Sequence, residues 1–497
     1  MAGFGVRSMG AGEDIHSRFQ AVCALLPDAS AMVLEDGYVS RADMAREVLR
    51  CAAGLQQRGC VLGSPVAVVI PNGPDFIIAT LAVFAIGGIL VPLTPKFKDD
   101  EIRHCIETSM PRVVLHPASL EDLMERTVAA EIHRVHSVSE LSSDAEFVPP
   151  AAIDSAAPAL YMFSSGSTGK SKRVTRTQGH LLAEYDALAA TAGLRATDRF
   201  LCTVPLYHAH GFCNVMMASM LSGGSIVLPA GEFNARHAAS LLERHEVTVY
   251  PSVPFMIKML GDTRFSVRPD LSSLRLVFTA GAPLPEAVSA RFVEQFGVTV
   301  GQLYGSTESG AITLNLLHQG DKPGSVGRPL RGFEVQIRGG DGESLPAGEN
   351  GEIWIRTAAT TRAYDGLPDV SATHFVGGWF FAGDTGWMDD DGDIYVTGRK
   401  KLMINVAGFK VDPLEVEEVL SRHPAVAESV VIGVPHPGYG EYIKAAVVLH
   451  PDGTSCGEHE LIEFVARHLT EYKVPKVVEF CTEIPRSPIG KILRKYL

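Results

Sequence analysis

From about residue 155 onward the chain alternates between short apolar, β-branched runs and longer stretches with helical spacing, which limits the fold more than any other feature. ALYMF, RFLCTVPL, SIVLP, VTVYPSV, LRLVFT and VTVGQL read as strands. HLLAEYDALAATAGL, NVMMASMLSGG, ARHAASLLERH and PEAVSARFVEQFG read as helices, and PVAVVIP and PRVVLHP begin a similar alternation earlier in the chain. Strands that alternate with helices predict an α/β fold with largely parallel sheets covered on both faces.

A chain of 497 residues is too long for one core, and its texture changes twice. After Gly324, GFEVQIRGGDGESLPAGENGEIWIRT alternates between Gly- and Asp-rich turns, predicting hairpins and a small β-rich unit. After Gly398 a helix (DPLEVEEVLSRHP), two strands (ESVVIGVP, YIKAAVVLHPDG) and a second helix (EHELIEFVARHLTEYKV) predict a compact α+β domain. The expected organisation is a large amino-terminal domain over residues 1–397, built of α/β subdomains, and a smaller α+β domain over 403–497.

FIIATLAVFAIGGILVPL, Phe76 to Leu93, is nearly long enough to span a bilayer. Gly87-Gly88 divides it, so a buried helix followed by a buried strand is expected and no membrane span. The net charge of −13 argues against nucleic acid as a partner. The eight cysteines show no paired spacing, and the first residues no basic-then-apolar pattern, so reduced thiols in the cytoplasm are expected.

SSGSTGKSKR, Ser164 to Arg173, is a candidate phosphate loop. Gly169-Lys170-Ser171 matches the end of a Walker motif, but its first glycine is replaced by Ser164. The following SKRVTRTQ reads as a strand where a Walker loop would enter a helix. Gly166 and Gly169 still let amides turn inward, Ser164, Ser165, Ser167 and Thr168 add hydroxyls, and Lys170 and Lys172 add charge. PLYHAHGF, AGAPLP and YGSTES also follow strands, at the edge where open α/β sheets bind ligands.

Together these segments resemble the adenylate-forming superfamily of acyl- and aryl-CoA synthetases, peptide-synthetase adenylation domains and luciferases. The resemblance covers nearly the whole chain through SSGSTGKSKR, YGSTE, WFFAGDTGWMDDDGDIYVTGRKK and IPRSPIGKILRKYL. It implies ATP-dependent activation of a small carboxylic acid to an acyl-adenylate, then transfer to a thiol. By resemblance, Glu308 binds Mg²⁺, Thr307 contacts the α-phosphate, and Tyr304 offers a face to adenine beside Gly281 and Ala282. Asp384 and Arg399 hold the ribose, and Lys491 bridges the carboxylate and α-phosphate oxygens. His208 matches a histidine beside the path between acid and thiol, and a packing role for it stays open. The resemblance also implies a mobile terminal domain turning on a hinge over 398–402 at Lys401, with Gly408 lining a thiol channel. One position departs from the family: Arg173 stands where glycine is usual, leaving the shape of that end of the loop open.

Amino-acid-activating members carry an aspartate where Tyr207-His208 stands, and PLYHAHGFCNV has no acid, so an α-amino acid substrate is disfavoured. By resemblance His210, Asn214 and Val215 face the acyl pocket, with residues near Val253, Ala280 and Gly305. His210 and Asn214 can bond an aromatic acid, each other or water; an aryl or medium-length acyl group is expected. Coenzyme A and a carrier protein's phosphopantetheine arm both remain open as acceptor, as does a homodimeric assembly. A P-loop ATPase and a non-catalytic nucleotide or acyl binder are the competing readings.

Overall fold

The computed structural model describes residues 13–97, 99–164, 172–316, 322–399, 404–406, 409–436, 440–451, 456–469, 471–486 and 492–497. A six-stranded sheet runs in the order His133–Val135, Val113–Leu115, Pro65–Val68, Ile89–Pro92, Pro158–Ser164, Lys172–Thr177. All of its pairings are parallel except the last. A nine-stranded sheet runs Arg328–Pro329, Gly310–Leu314, Gly301–Ser306, Leu276–Thr279, Val249–Ser252, Arg199–Leu201, Ser225–Val227, Ser30–Leu34, Gly37–Ser40. It is parallel through its centre and antiparallel at both ends. The alternation therefore produced the expected parallel sheets.

Alternate residues of each strand enter different cores. Val66, Val68 and Leu90 of the smaller sheet and Phe200, Ile226 and Phe278 of the larger share one core with the helix Pro74–Ala85. Their neighbours Ala67, Val69 and Val114 turn the other way, onto Ile102 and Met124. Tyr250 and Val277 likewise face the helices Ala235–Arg244, Pro254–Asp262 and Glu286–Phe296.

The helix Pro74–Ala85 is enclosed on every side, which is why its sequence is apolar all round. Gly87 at φ +64° turns the chain into the buried strand Ile89–Pro92, as the double glycine predicted. Among the described residues no helix is long and apolar enough to cross a membrane. All eight cysteines are free thiols, six of them buried.

Two segments differ from the sequence expectation. The strand read from VTVGQL continues to Ser306, so Tyr304 and Gly305 lie in the sheet and not in a loop. It folds back as a hairpin onto Gly310–Leu314, and a Cβ at Gly305 would sit 2.4 Å from the Gly310 carbonyl oxygen. The helix read from EHELIEFVARHLTEYKV stops at Ala466, and a short turn over Glu471–Lys473 follows.

Between Glu334 and Arg399 lies a small β-rich sheet of strands Glu334–Arg338, Gly351–Arg356, Trp379–Met388, Phe375–Val376 and Ile394–Arg399. The chain divides into one compact unit of Met1–Val335, Trp354–Ala382 and Asp389–Tyr395 and a second of Gln336–Ile353, Gly383–Met388 and Val396–Leu497. In the second unit the helices Pro413–Ser421 and Glu458–Ala466 pack Val416, Leu420, Leu461 and Val465 against Val431, Ile443 and Ala445 of a sheet. That sheet is ordered Phe409–Val411, Ile404–Val406, Gly440–Leu449, Val426–His436, with Val477–Phe480 also on Gly440–Leu449.

Candidate active site

The strands Pro158–Ser164 and Lys172–Thr177 pair antiparallel with Ser164 opposite Lys172, the strand–loop–strand arrangement read from the sequence. Ser165, Gly166, Ser167, Thr168, Gly169 and Lys170 lie outside the described residues. The side chain of Arg173, the departure from the family, is anchored on three sides. Its Nε donates to Asp365 at 2.9 Å and its Nη1 to the Thr108 carbonyl at 2.5 Å, and the guanidinium covers the Tyr161 ring at 4.5 Å. Asp365 also accepts from the Thr175 hydroxyl. Lys172 Nζ lies 4.9 Å from the Tyr364 ring centroid.

The hairpin turn carries Thr307 and Glu308. Glu308 is only 9% exposed, and its carboxylate accepts a hydrogen bond from the Tyr364 hydroxyl at 2.8 Å. Its carbonyl accepts from the Thr361 amide at 2.9 Å, and the Ser309 hydroxyl meets that of Thr360 at 3.0 Å. The turn is thereby tied to the segment 360–364. From below, Arg176 donates to the Thr307 carbonyl at 3.4 Å while pairing with Glu184 at 3.0 Å. Glu184 in turn accepts from the Ala311 amide at 2.9 Å. An ion pair so fully buried holds its geometry because each charge has no alternative partner in water.

Parallel register assembles the remaining groups. Ser252, Thr279 and Gln302 sit opposite one another across three strands. The residues that follow, Val253 and Ala280, and the neighbouring Leu303-Tyr304 therefore reach one edge of the sheet at one level. Gly281 at φ +85° has open space around it, and Ala282 is exposed. Gln302 fixes this loop by accepting from the Leu284 amide at 2.8 Å.

Over the same strand ends, His210 and Asn214 face each other one helical turn apart. His210 Nε2 lies 3.0 Å from the Ser252 carbonyl oxygen, which can only accept, so Nε2 carries the proton. Its Nδ1 then accepts from Asn214 Nδ2 at 3.0 Å. Burial pushes His210 down to about 4, so the ring is neutral at physiological pH. His208 is pushed down to about 4 as well, by burial and then by His210. Asn214 Oδ1 and His208 Nε2 are buried and find no hydrogen-bond partner among the described residues. Val215 is 0% exposed and belongs to the main core.

Asp384, 4% exposed, and Arg399 belong to the second unit. Lys401, Gly408 and Lys491 lie outside the described residues. Arg486 and Ile492, on either side of residues 487–491, pair as an antiparallel bridge, and the Leu493 amide donates to the Pro485 carbonyl at 2.8 Å. The sequence reading missed Tyr364, Arg176 and Glu184. Arg176 shares the inward face of its strand with Val174, and Glu184 lies on the buried side of the next helix, so two opposite charges at core-facing positions were the available signal.

A doubly covered α/β fold with these loops gathered at the carboxyl edge of its sheet defines an adenylate-forming ligase, which activates an acid with ATP and passes the acyl group to a thiol. The chain belongs to the AMP-binding enzyme family: residues 19–365 match the model of the AMP-binding enzyme and residues 415–491 that of its C-terminal domain. It is similar to a feruloyl-CoA synthase of an Amycolatopsis species, 33% identical over 94% of this chain and 95% of that one. A fatty acid–[acyl-carrier-protein] ligase, ScoC of Streptomyces coeruleorubidus, is 30% identical over 95% of this chain and 93% of its own. Among solved structures, o-succinylbenzoate CoA synthetase (MenE) of Bacillus subtilis in complex with its acyl-adenylate superposes with a TM-score of 0.87. It is 29% identical and covers 96% of this chain and 97% of that one.

Proposed function

We propose that this chain makes the coenzyme A thioester of an aromatic acid whose ring carries a hydrogen-bond donor. One observation carries the choice of acid. His210 spends both nitrogens on Ser252 and Asn214, which leaves Asn214 Oδ1 an enclosed acceptor. A buried acceptor without a donor is costly, and a substrate hydroxyl would remove that cost. A neutral imidazole gives a substrate ammonium no counter-charge, which agrees with the absence of acid in this stretch.

In the first step the substrate carboxylate attacks the α-phosphorus of ATP, and pyrophosphate leaves as the α–β phosphoanhydride breaks. In the second the thiol sulfur attacks the acyl carbon and AMP departs. Both are problems of positioning and charge neutralisation. The loop from Ser164 to Lys170, with Lys172, would hold the departing phosphates and Thr307 the α-phosphate. Tyr304, Gly305, Gly281 and Ala282 would receive adenine, and Asp384 and Arg399 the ribose. Lys491 would supply charge where acid and phosphate meet. Glu308, a buried carboxylate fixed by Tyr364, suits Mg²⁺, which would neutralise phosphate charge. Residues 403–497 would turn on 398–402 between the two steps, opening the thiol path by His208 and Gly408. The site is assigned to a cytoplasmic enzyme with coenzyme A as acceptor; a carrier protein is the second reading, suggested by the likeness to ScoC.

The test is a panel of hydroxylated, unsubstituted and aliphatic acids with Mg-ATP. Pyrophosphate is measured and adenylate trapped with hydroxylamine, with coenzyme A, a loaded carrier protein or neither, and with Lys491→Ala as background. A hydroxylated aromatic acid is expected to exceed its unsubstituted analogue by about 10-fold or more in kcat/KM, the worth of one buried hydrogen bond. Equal turnover of the two removes the substrate reading. Absence of adenylate with every acid removes the ligase.

A further inference from the structure

At the edge of the six-stranded sheet opposite the phosphate hairpin, three metal-ligating side chains converge. The strands Val113–Leu115 and His133–Val135 are parallel with Leu115 opposite Val135, and a histidine follows each at once, His116 and His136. The His116 amide donates to the Val135 carbonyl at 2.9 Å, and the two rings meet edge to face with centroids 5.1 Å apart. Glu121 opens the helix Glu121–Thr127, and its Oε2 lies 2.6 Å from His136 Nε2 and 3.5 Å from His116 Nε2.

The orientation of His116 decides what this cluster can hold. Its Nδ1 is 3.1 Å from the Pro117 carbonyl oxygen, an acceptor only, so Nδ1 carries the proton and Nε2 a lone pair. The side chain is 0% exposed, and Nε2 has no hydrogen-bond partner among the described residues. What it faces is a carboxylate oxygen, itself an acceptor. A cation relieves this opposition directly.

We propose that His116 Nε2, His136 Nε2 and Glu121 Oε2 bind a divalent transition cation of the zinc type. The three ligand atoms lie within 4.8 Å of one another, so small rotations of the partly exposed His136 and Glu121 side chains bring all three to bonds of about 2.0–2.2 Å with one ion. Two imidazoles and one carboxylate favour zinc-like ions over calcium or magnesium, which prefer all-oxygen sites. Outer partners are in place as well. His116 is oriented by Pro117, and His136 can keep its proton on Nδ1, 3.4 Å from Glu140, while Nε2 turns to the ion. Arg134 lies 3.7 Å from the other Glu121 oxygen, Oε1, leaving Oε2 for the metal. Glu121 and His136 are partly exposed, so the ion has access from solvent and room for a water ligand. Held there, it ties the edge strand of this sheet to the helix beside it and is distinct from any magnesium at Glu308.

The full-length protein, stripped with a chelator, is titrated with Co²⁺ followed by visible absorption and with Zn²⁺ by calorimetry. A single equivalent is expected to bind. His136→Gln and Glu121→Gln, both at partly exposed positions, are each expected to weaken binding by at least about 10-fold. Cys456→Ser, which disables the separate His423–Cys456–Glu460 group, is expected to leave it unchanged. Substoichiometric binding, binding that survives either ligand substitution, or binding lost in Cys456→Ser overturns the proposal.

Discussion

The Tyr364 hydroxyl donates to the Glu308 carboxylate at 2.8 Å, and both side chains are buried, 6% and 9% exposed. Tyr364 therefore fixes in advance the carboxylate that the proposed function gives to Mg²⁺. A hydrogen bond to a buried charge contributes about 1.5–3 kcal/mol. Tyr364→Phe removes the donor and keeps the ring under Lys172. The expected result is a fall in kcat/KM of about 10–100-fold, the same free energy read as a rate. Saturation should also need more Mg²⁺. A magnesium titration of pyrophosphate release checks this, and an unchanged magnesium requirement would separate Tyr364 from the metal.

Arg176 and Glu184, 1% and 2% exposed, form the support beneath Thr307. Removing one member of such a pair strands the other charge, at about 3–5 kcal/mol. Arg176→Met and Glu184→Gln should each cost about this much in denaturant unfolding, and together less than their sum. Strict additivity of the two would show that the pair is not coupled.

The architecture was legible because its period was. Strands buried on both faces read as short apolar runs, and Gly87, Gly193 and Gly223 closed or turned segments where their positive φ was needed. The candidate site was legible in motifs, and less so in what holds the motifs. Tyr304 was read in a loop because nothing local shows that Gly305 can approach the Gly310 carbonyl within a hairpin. Tyr364 lies 56 residues beyond Glu308, and contacts at that separation follow from packing of whole segments. Arg173 looked open to any partner in sequence, since Tyr161, Thr108 and Asp365 meet only in the folded chain.

His208 and His210 are both pushed down to about 4 from 6.5, chiefly by burial. The folded state thus binds fewer protons than the unfolded chain between these values. The stability they contribute is complete above 6.5 and is lost as pH falls toward 4. Melting temperature is expected to decline on acidification through this window, with a shallower decline in His210→Gln. Neither ring should produce an acidic limb in kcat/KM near 6.5. Finding one there that His208→Asn abolishes would show that His208 titrates as a solvated group.

Asp412 behaves in the opposite sense. It caps the helix Pro413–Ser421 by accepting from the Leu414 amide at 2.9 Å, and burial raises it from 3.8 to about 6. The Leu414 amide offsets part of that rise, Glu415 and Glu417 add to it, and Arg494 opposes it. A carboxyl raised on folding binds more protons in the folded state. Its stabilising contribution is complete below 3.8 and disappears as pH climbs through about 6. At neutral pH the charge is therefore a liability, pressed against Gly398, where a Cβ would come within 2.6 Å of the carboxylate. Asparagine can accept the same capping bond without the charge. Asp412→Asn is accordingly expected to raise the melting temperature of the second unit at neutral pH and to leave it nearly unchanged at about pH 4. Thermal unfolding of the full chain at the two pH values measures this, and a lower melting temperature at neutral pH would mean that the ionised carboxylate is needed at the cap.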